Sequence, residues 1–261
     1  TLNYPIEKQV GDTEQILSGL RFPWLKDFVV WLAGVPVLRA AAEYLLGLIM
    51  VFQRSAGGNT LYYLGEVLNV GSPSYFPLTF LWKEPPASLI LIFLAFLFGV
   101  WNILLALPGI IFRRSQKFLD YLTTNFAETA MLVFIVIYWT TSITSNLNIG
   151  IRHILPTVPF IYILTAGAIR KWISIKNWES ARNVVIKIFV VYQEFWSVSL
   201  KTAVLAILLI WYSISTAVTT PHFLSYFNFV SGGTKSGYEL VTDSNCDWGQ
   251  DLKRLKIWVD E

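Results

Sequence analysis

From Pro85 to Phe112 the chain carries no charged side chain. At about 1.5 Å of rise per residue, such a run is longer than the roughly 30 Å hydrocarbon layer of a bilayer. Backbone donors and acceptors in that layer must be satisfied within the segment, so the run is expected to be a transmembrane helix. Pro85 and Pro86 suit its first turn, where a missing donor costs little. Arg113, Arg114 and Lys117 follow at once and place that end in the cytoplasm by the positive-inside tendency.

Three further spans are expected, at about 129–144, 154–169 and 202–220. Ser145 to His153 reads as the turn between the first two, and Arg170, Lys171, Lys176, Arg182 and Lys187 follow the next as a second basic connector. Residues 180–197 repeat apolar side chains at helical spacing around Lys187 and Glu194, which reads as a separate interfacial or packing helix. Residues 1–84 read as an interfacial or extracytoplasmic segment with one helix at about 28–52, either embedded or re-entrant, lying in the interface, or fully spanning. In it Arg39 and Glu43 are spaced to pair. Residues 221–261 form a polar tail. The expected fold is therefore an all-α polytopic membrane protein, a bundle over 85–220 with extracytoplasmic loops and tail.

With 54% hydrophobic and 14% charged residues the chain does not read as a soluble enzyme, and a net charge of +3 leaves no footprint for nucleic acid. The single Cys246 excludes a disulfide within the chain. The chain opens without Met or a signal-like run, which reads as a fragment of something longer. No zinc spacing, phosphate-cradling glycine loop or Ser-His-Asp order is present, so no cofactor is expected and a divalent metal is not indicated.

With basic connectors on one side, three polar stretches fall together on the other: the loop ending at Lys83, the Ile149–His153 turn, and the tail. Lys83, Arg152 and His153 stand at the starts of spans, where cations either snorkel and set topology or meet an anion. Arg152 is the better planar clamp for a phosphate, Lys83 a point charge. In the tail, Asp243 to Asp251 holds three carboxylates within nine residues. Asp247 and Gln250 have the spacing of a capping box ahead of an amphipathic helix with Leu252, Leu255, Trp258 and Val259 inward, and Asp251 would face the positive end of its dipole. Asp243 and Asn245 lie outside that helix. A carboxylate there serves either as general base toward a hydroxyl or as a sugar ligand.

Four pieces carry a resemblance: Tyr75-Phe-Pro-Leu-Thr-Phe-Leu-Trp-Lys-Glu-Pro-Pro86, Asn148-Ile-Gly-Ile-Arg-His-Ile-Leu-Pro156, Pro221-His-Phe-Leu-Ser-Tyr-Phe-Asn228 and Asp243-Ser-Asn-Cys-Asp-Trp-Gly-Gln-Asp-Leu252. In these the chain resembles the polyprenyl-phosphate-dependent membrane glycosyltransferases related to protein O-mannosyltransferases and the lipid A aminoarabinose transferase. The last piece is the most specific. The resemblance implies a GT-C type fold in the plasma (inner) membrane, an active site on the extracytoplasmic face, and a donor sugar on a polyprenyl phosphate. It implies Lys83 and Arg152 near the lipid phosphate, with Tyr75, His153, Asn245, Gln250 and Asp251 among the substrate-binding groups. The family's principal catalytic acid lies in a loop this stretch does not include, so the chain looks like the carboxyl-terminal part of such an enzyme; Asp243 and Asp247 are the weaker candidates within it. Glu84 stands where relatives often have Thr.

The expected function is sugar transfer from a polyprenyl-phosphate carrier to an acceptor whose nature the sequence leaves open. The alternatives are a non-enzymatic membrane subunit and a transporter of the lipid-linked sugar. A transporter calls for ionisable groups at mid-membrane, which the expected spans lack.

Overall fold

The computed structural model describes residues 4–112, 122–174 and 184–261. The connector cations Arg113, Arg114, Lys117, Lys176 and Arg182 lie outside the described residues. The chain divides into two compact units.

The first unit holds three helices: α1 (Ile6–Ile16), α2 (Pro23–Gly34) and α3 (Arg39–Gly57). The single helix expected over 28–52 is thus two, parted at Val35–Leu38. Pro36 withholds the donor a continuous helix would need there. Leu17, Val29 and Ile49 make one buried cluster; Leu32, Ala33 and Ala42 make another. The Arg39 guanidinium donates to Gln9 Oε1 at 2.6 Å and so ties α3 to α1. Residues 69–72 and 145–148 also belong here. A Cβ on Gly71 would lie 2.7 Å from the Ser145 carbonyl oxygen, so only glycine lets these two backbones meet.

A hairpin of β1 (Leu61–Tyr63) and β2 (Glu66–Leu68) follows, and from Tyr62 it belongs to the second unit. Its two-residue turn puts both Leu64 (φ 54) and Gly65 (φ 86) at positive φ, as a tight hairpin turn requires. Tyr63 bridges antiparallel to Val241, and Leu64 N–H donates to the Leu240 carbonyl at 2.8 Å. This pairing is absent from the sequence reading, which has only a polar loop there.

Then come α4 (Tyr75–Lys83), α5 (Pro86–Phe112), α6 (Phe126–Thr144), α7 (Val158–Ile173), α8 (Val184–Thr219) and α9 (Leu252–Asp260). Among the described residues three helices are long and apolar enough to cross a membrane: α5, α6 and α8. The molecule is mostly helical and has the make-up of a helical membrane protein. α6 is apolar yet has no buried residue; Leu132, Val133, Val136 and Ile137 are each half exposed or more. Such an all-round apolar helix suits hydrocarbon rather than water.

α7, expected as a span over 154–169, has 16 helical residues, about 24 Å, which is short of a bilayer core. Two consecutive 3-10 turns, Ile151–His153 and Leu155–Thr157, lead into it. It still carries the chain from one end of the unit to the other. Lys171 in its last turn pairs with Glu128 in the first turn of α6 at 2.9 Å, so the two run antiparallel. From Val184 on, the interfacial helix expected over 180–197 runs unbroken into the span expected over 202–220, as one helix of 36 residues, Val184–Thr219; residues 180–183 lie outside the described residues. Lys201 donates to the Trp172 carbonyl at 2.9 Å, level with the end of α7. The turns of α8 before Lys201, with Val185, Ile188, Phe189, Tyr192 and Phe195 exposed, extend beyond that level.

Candidate functional site

Four segments of the second unit meet at the ends of its helices: the two ends of α4, the Gly150–His153 turn, the 221–228 loop, and the 242–246 turn. Asn245 is their hub. It is fully buried; its Nδ2 donates to the Tyr75 hydroxyl at 2.8 Å and the Thr242 carbonyl at 3.2 Å, and its Oδ1 accepts from Ile151 N–H at 2.9 Å. Burial pushes the Tyr75 phenol up to about 12, so it stays a neutral hydroxyl.

Lys83 ends α4 with its ammonium inside the joint. Nζ donates to the Asn245 carbonyl at 2.7 Å and the Leu224 carbonyl at 2.5 Å, and lies 4.3 Å from the centre of the Phe227 ring. Burial lowers its pKa to about 8. Asn228, also buried, closes the same helix end: Nδ2 donates to the Leu81 and Glu84 carbonyls, and its backbone N–H to that of Trp82 at 2.9 Å. These bonds satisfy carbonyls that the end of a helix leaves open.

Gly150 lets the 149–153 turn approach the tail. Its φ is 138, and a Cβ there would fall 2.1 Å from Ser244 Oγ, which itself donates to the Ile149 carbonyl. The turn presents Arg152 to solvent and sets His153 half-buried, with Nε2 enclosed and no hydrogen-bond partner among the described residues. Burial, then the neighbouring Arg152 charge, lowers the His153 pKa. The imidazole is therefore mainly neutral at pH 7.

In the tail, Asp243 is exposed, at φ 58, a left-handed backbone that Asp tolerates better than most residues. The structure corrects the capping box. Asp247 accepts from Gly249 N–H at 3.0 Å and Gln250 Oε1 from Trp248 N–H at 2.7 Å, both within an irregular turn; the residue at the helix start is Asp251, which pairs with Arg254 at 3.4 Å. The apolar face of α9, expected inward, is open: Leu252, Leu255, Trp258 and Val259 are all more than half exposed.

The structure thus joins Lys83, Tyr75 and Asn245 and sets the Arg152–His153 turn against them. Asp247 and Gln250 stay exposed and Asp251 half-buried, outside the joint. Sequence reasoning missed Ser244 and Asn228, whose burial nothing in their spacing announces. It noted Glu84 without a role; the structure buries its carboxylate under the hydroxyls of Ser88 and Tyr162.

Chemically, the joint offers one solvent-facing guanidinium able to grip two oxygens of an anion, a neutral imidazole, a protonated phenol and an exposed carboxylate. Among the described residues no three His, Cys, Asp or Glu side chains converge to hold a metal ion. No family model, curated protein or solved structure matches this chain.

Proposed function

We propose that the chain is part of a membrane glycosyltransferase that moves a sugar from a polyprenyl-phosphate carrier to an acceptor at the non-cytoplasmic face. The observation that carries the reading is the convergence on Asn245: pieces 170 and 94 residues apart in sequence, each in a motif of the resemblance, are hydrogen-bonded to one side chain.

In this reading the acceptor hydroxyl gives its proton to a carboxylate, its oxygen bonds to the sugar's anomeric carbon, and the bond from that carbon to the phosphate oxygen breaks. The electron pair leaves with the polyprenyl phosphate. Charge on that phosphate grows as the bond breaks, so a fixed cation stabilises the transition state more than the ground state. Arg152 is exposed and is the cation for that task. Lys83, already bonded to two carbonyls, is a positioning residue that holds the tail against the turn. Within this stretch Asp243 is the carboxylate best placed to take the proton, exposed and electrostatically coupled to Tyr75.

The test is transfer from a polyprenyl-phosphate-linked sugar by membranes containing the protein, parent against Arg152→Ala. Turnover is expected to fall about a hundredfold, the usual scale for losing one transition-state charge partner. Undiminished turnover removes Arg152 from the reaction.

A further inference from the structure

Glu84 leads to a second feature. Its buried carboxylate is capped by the Tyr162 and Ser88 hydroxyls, and its charge also reaches the Tyr226 phenol, whose pKa burial, then Glu84, raises. Beyond this layer lies a cavity of about 170 Å³, between the last turns of α8, the residue before α5, and the loop after Thr220. It is smaller than the roughly 300 Å³ at which drug-sized pockets begin, and so has the scale of one small ring or a short polyol.

No charged side chain lines it. Five lining residues carry hydroxyls: Tyr212, Ser215, Thr216, Thr219 and Tyr226. Thr216 and Thr219 donate their protons to the Tyr212 and Ser215 carbonyls at 3.0 and 2.7 Å, so their oxygens have only lone pairs left to offer a ligand. Ser215 and Tyr226 add groups able to donate, and the raised pKa of Tyr226 keeps its proton on. Pro85 and Phe223 supply apolar surface, Phe223 more than half exposed. Donors, acceptors and an aromatic face without charge match a neutral molecule that carries hydroxyls on a hydrocarbon frame. An ion would find no countercharge among the lining residues.

We propose that this cavity binds a neutral hydroxyl-bearing group, a sugar ring or polyol, with Thr216 and Thr219 accepting from it, Ser215 and Tyr226 donating to it, and Phe223 against its C–H face. The cavity sits at the C-terminal end of α8, a helix long and apolar enough to cross a membrane. The group is therefore either the headgroup of a glycolipid or a free sugar. The inference concerns equilibrium binding, goes beyond the transfer reaction and does not depend on it.

The experiment uses the chain in phosphatidylcholine nanodiscs with two probes. One arm incorporates monoglucosyl diacylglycerol and reads retained lipid by native mass spectrometry; the other adds methyl β-glucoside and reads contact by saturation-transfer NMR. Binding is expected in at least one arm, and at least tenfold weaker when Ser215→Ala and Thr216→Val are combined. That pair removes two hydroxyls with little change of shape. Signal in the glycolipid arm alone identifies a headgroup site, in the soluble arm alone a free-sugar site. If the pair fails to fold, Tyr226→Phe decides, since it keeps the ring and loses only the hydroxyl; a several-fold weaker complex is expected. Absence of binding in both arms, or equal binding by parent and variants, overturns the proposal. A chain that binds but lacks transferase activity separates this inference from the reading above.

Discussion

The Lys83 ammonium lies 2.7 Å from the carbonyl oxygen of Asn245, a residue 162 positions away in sequence, and 2.5 Å from that of Leu224. A cation at the start of a span is ordinarily taken to reach for headgroups. Here it faces inward, toward two backbone carbonyls in a part-buried joint.

Replacing Lys83 by Met keeps the length of the side chain and removes both donors. Two part-buried carbonyls then lose a charged partner, at a cost of about 2–4 kcal/mol. The tail should loosen before the helices do, so Cys246, half-buried in the parent, should react with a maleimide at least tenfold faster. Equal labelling rates would falsify the locking role.

The same amine gives a pH signature. Its folded pKa, about 8, lies below the ordinary lysine value of 10.5, so between these values the unfolded chain binds more protons than the folded one. Stability from this group must therefore rise with pH across that window, and the burial cost is fully present below pH 8. A neutral amine still has two N–H bonds for two carbonyls, so the joint survives deprotonation. The slope of unfolding midpoint against pH from 8 to 10.5 should be more positive in the parent than in Lys83→Met.

Asn245→Ala leaves Ile151 N–H and the Tyr75 hydroxyl without their shared partner. The loss should be about 2–4 kcal/mol, and hydrogen exchange at the Ile151 amide should quicken by tenfold or more while exchange in α5 is unaffected. Uniform acceleration would point to global unfolding instead of a local hub.

Gly150→Ala should destabilise by about 1–3 kcal/mol through its backbone alone, and further through the overlap with Ser244. Ser244→Ala in that background relieves the overlap and leaves the φ of 138 in place. A double-mutant cycle should show partial rescue; complete rescue would mean that the backbone conformation carries no cost.

How much of this was readable beforehand depends on which force set each feature. The uncharged run from Pro85 shows its helix because hydrophobicity over that length admits few other solutions. The break at Pro36 has a local cause in the residue itself, yet the apolar content of 28–52 read as one helix. The continuity of α8 through Lys187, Glu194 and Lys201 is not, because a charge that projects past the bundle does not interrupt a helix. The grouping of Lys83 with the 149–153 turn and the tail followed from counting crossings. The inward aim of Lys83, the hub at Asn245 and the hairpin bridge at Tyr63 depend on contacts between residues far apart in the chain, which leave no periodic trace. The capping box failed because the Asp247-to-Gln250 spacing serves an irregular turn as readily as a helix start.

A bond that joins residues 83 and 245 also dictates an order of assembly. The three membrane-length helices among the described residues lie between those two positions, so these three must be synthesised before the amine finds its second acceptor. Until then it stays wet, or is held by the Leu224 oxygen alone. The knot would therefore be tied late, after these three helices have been made.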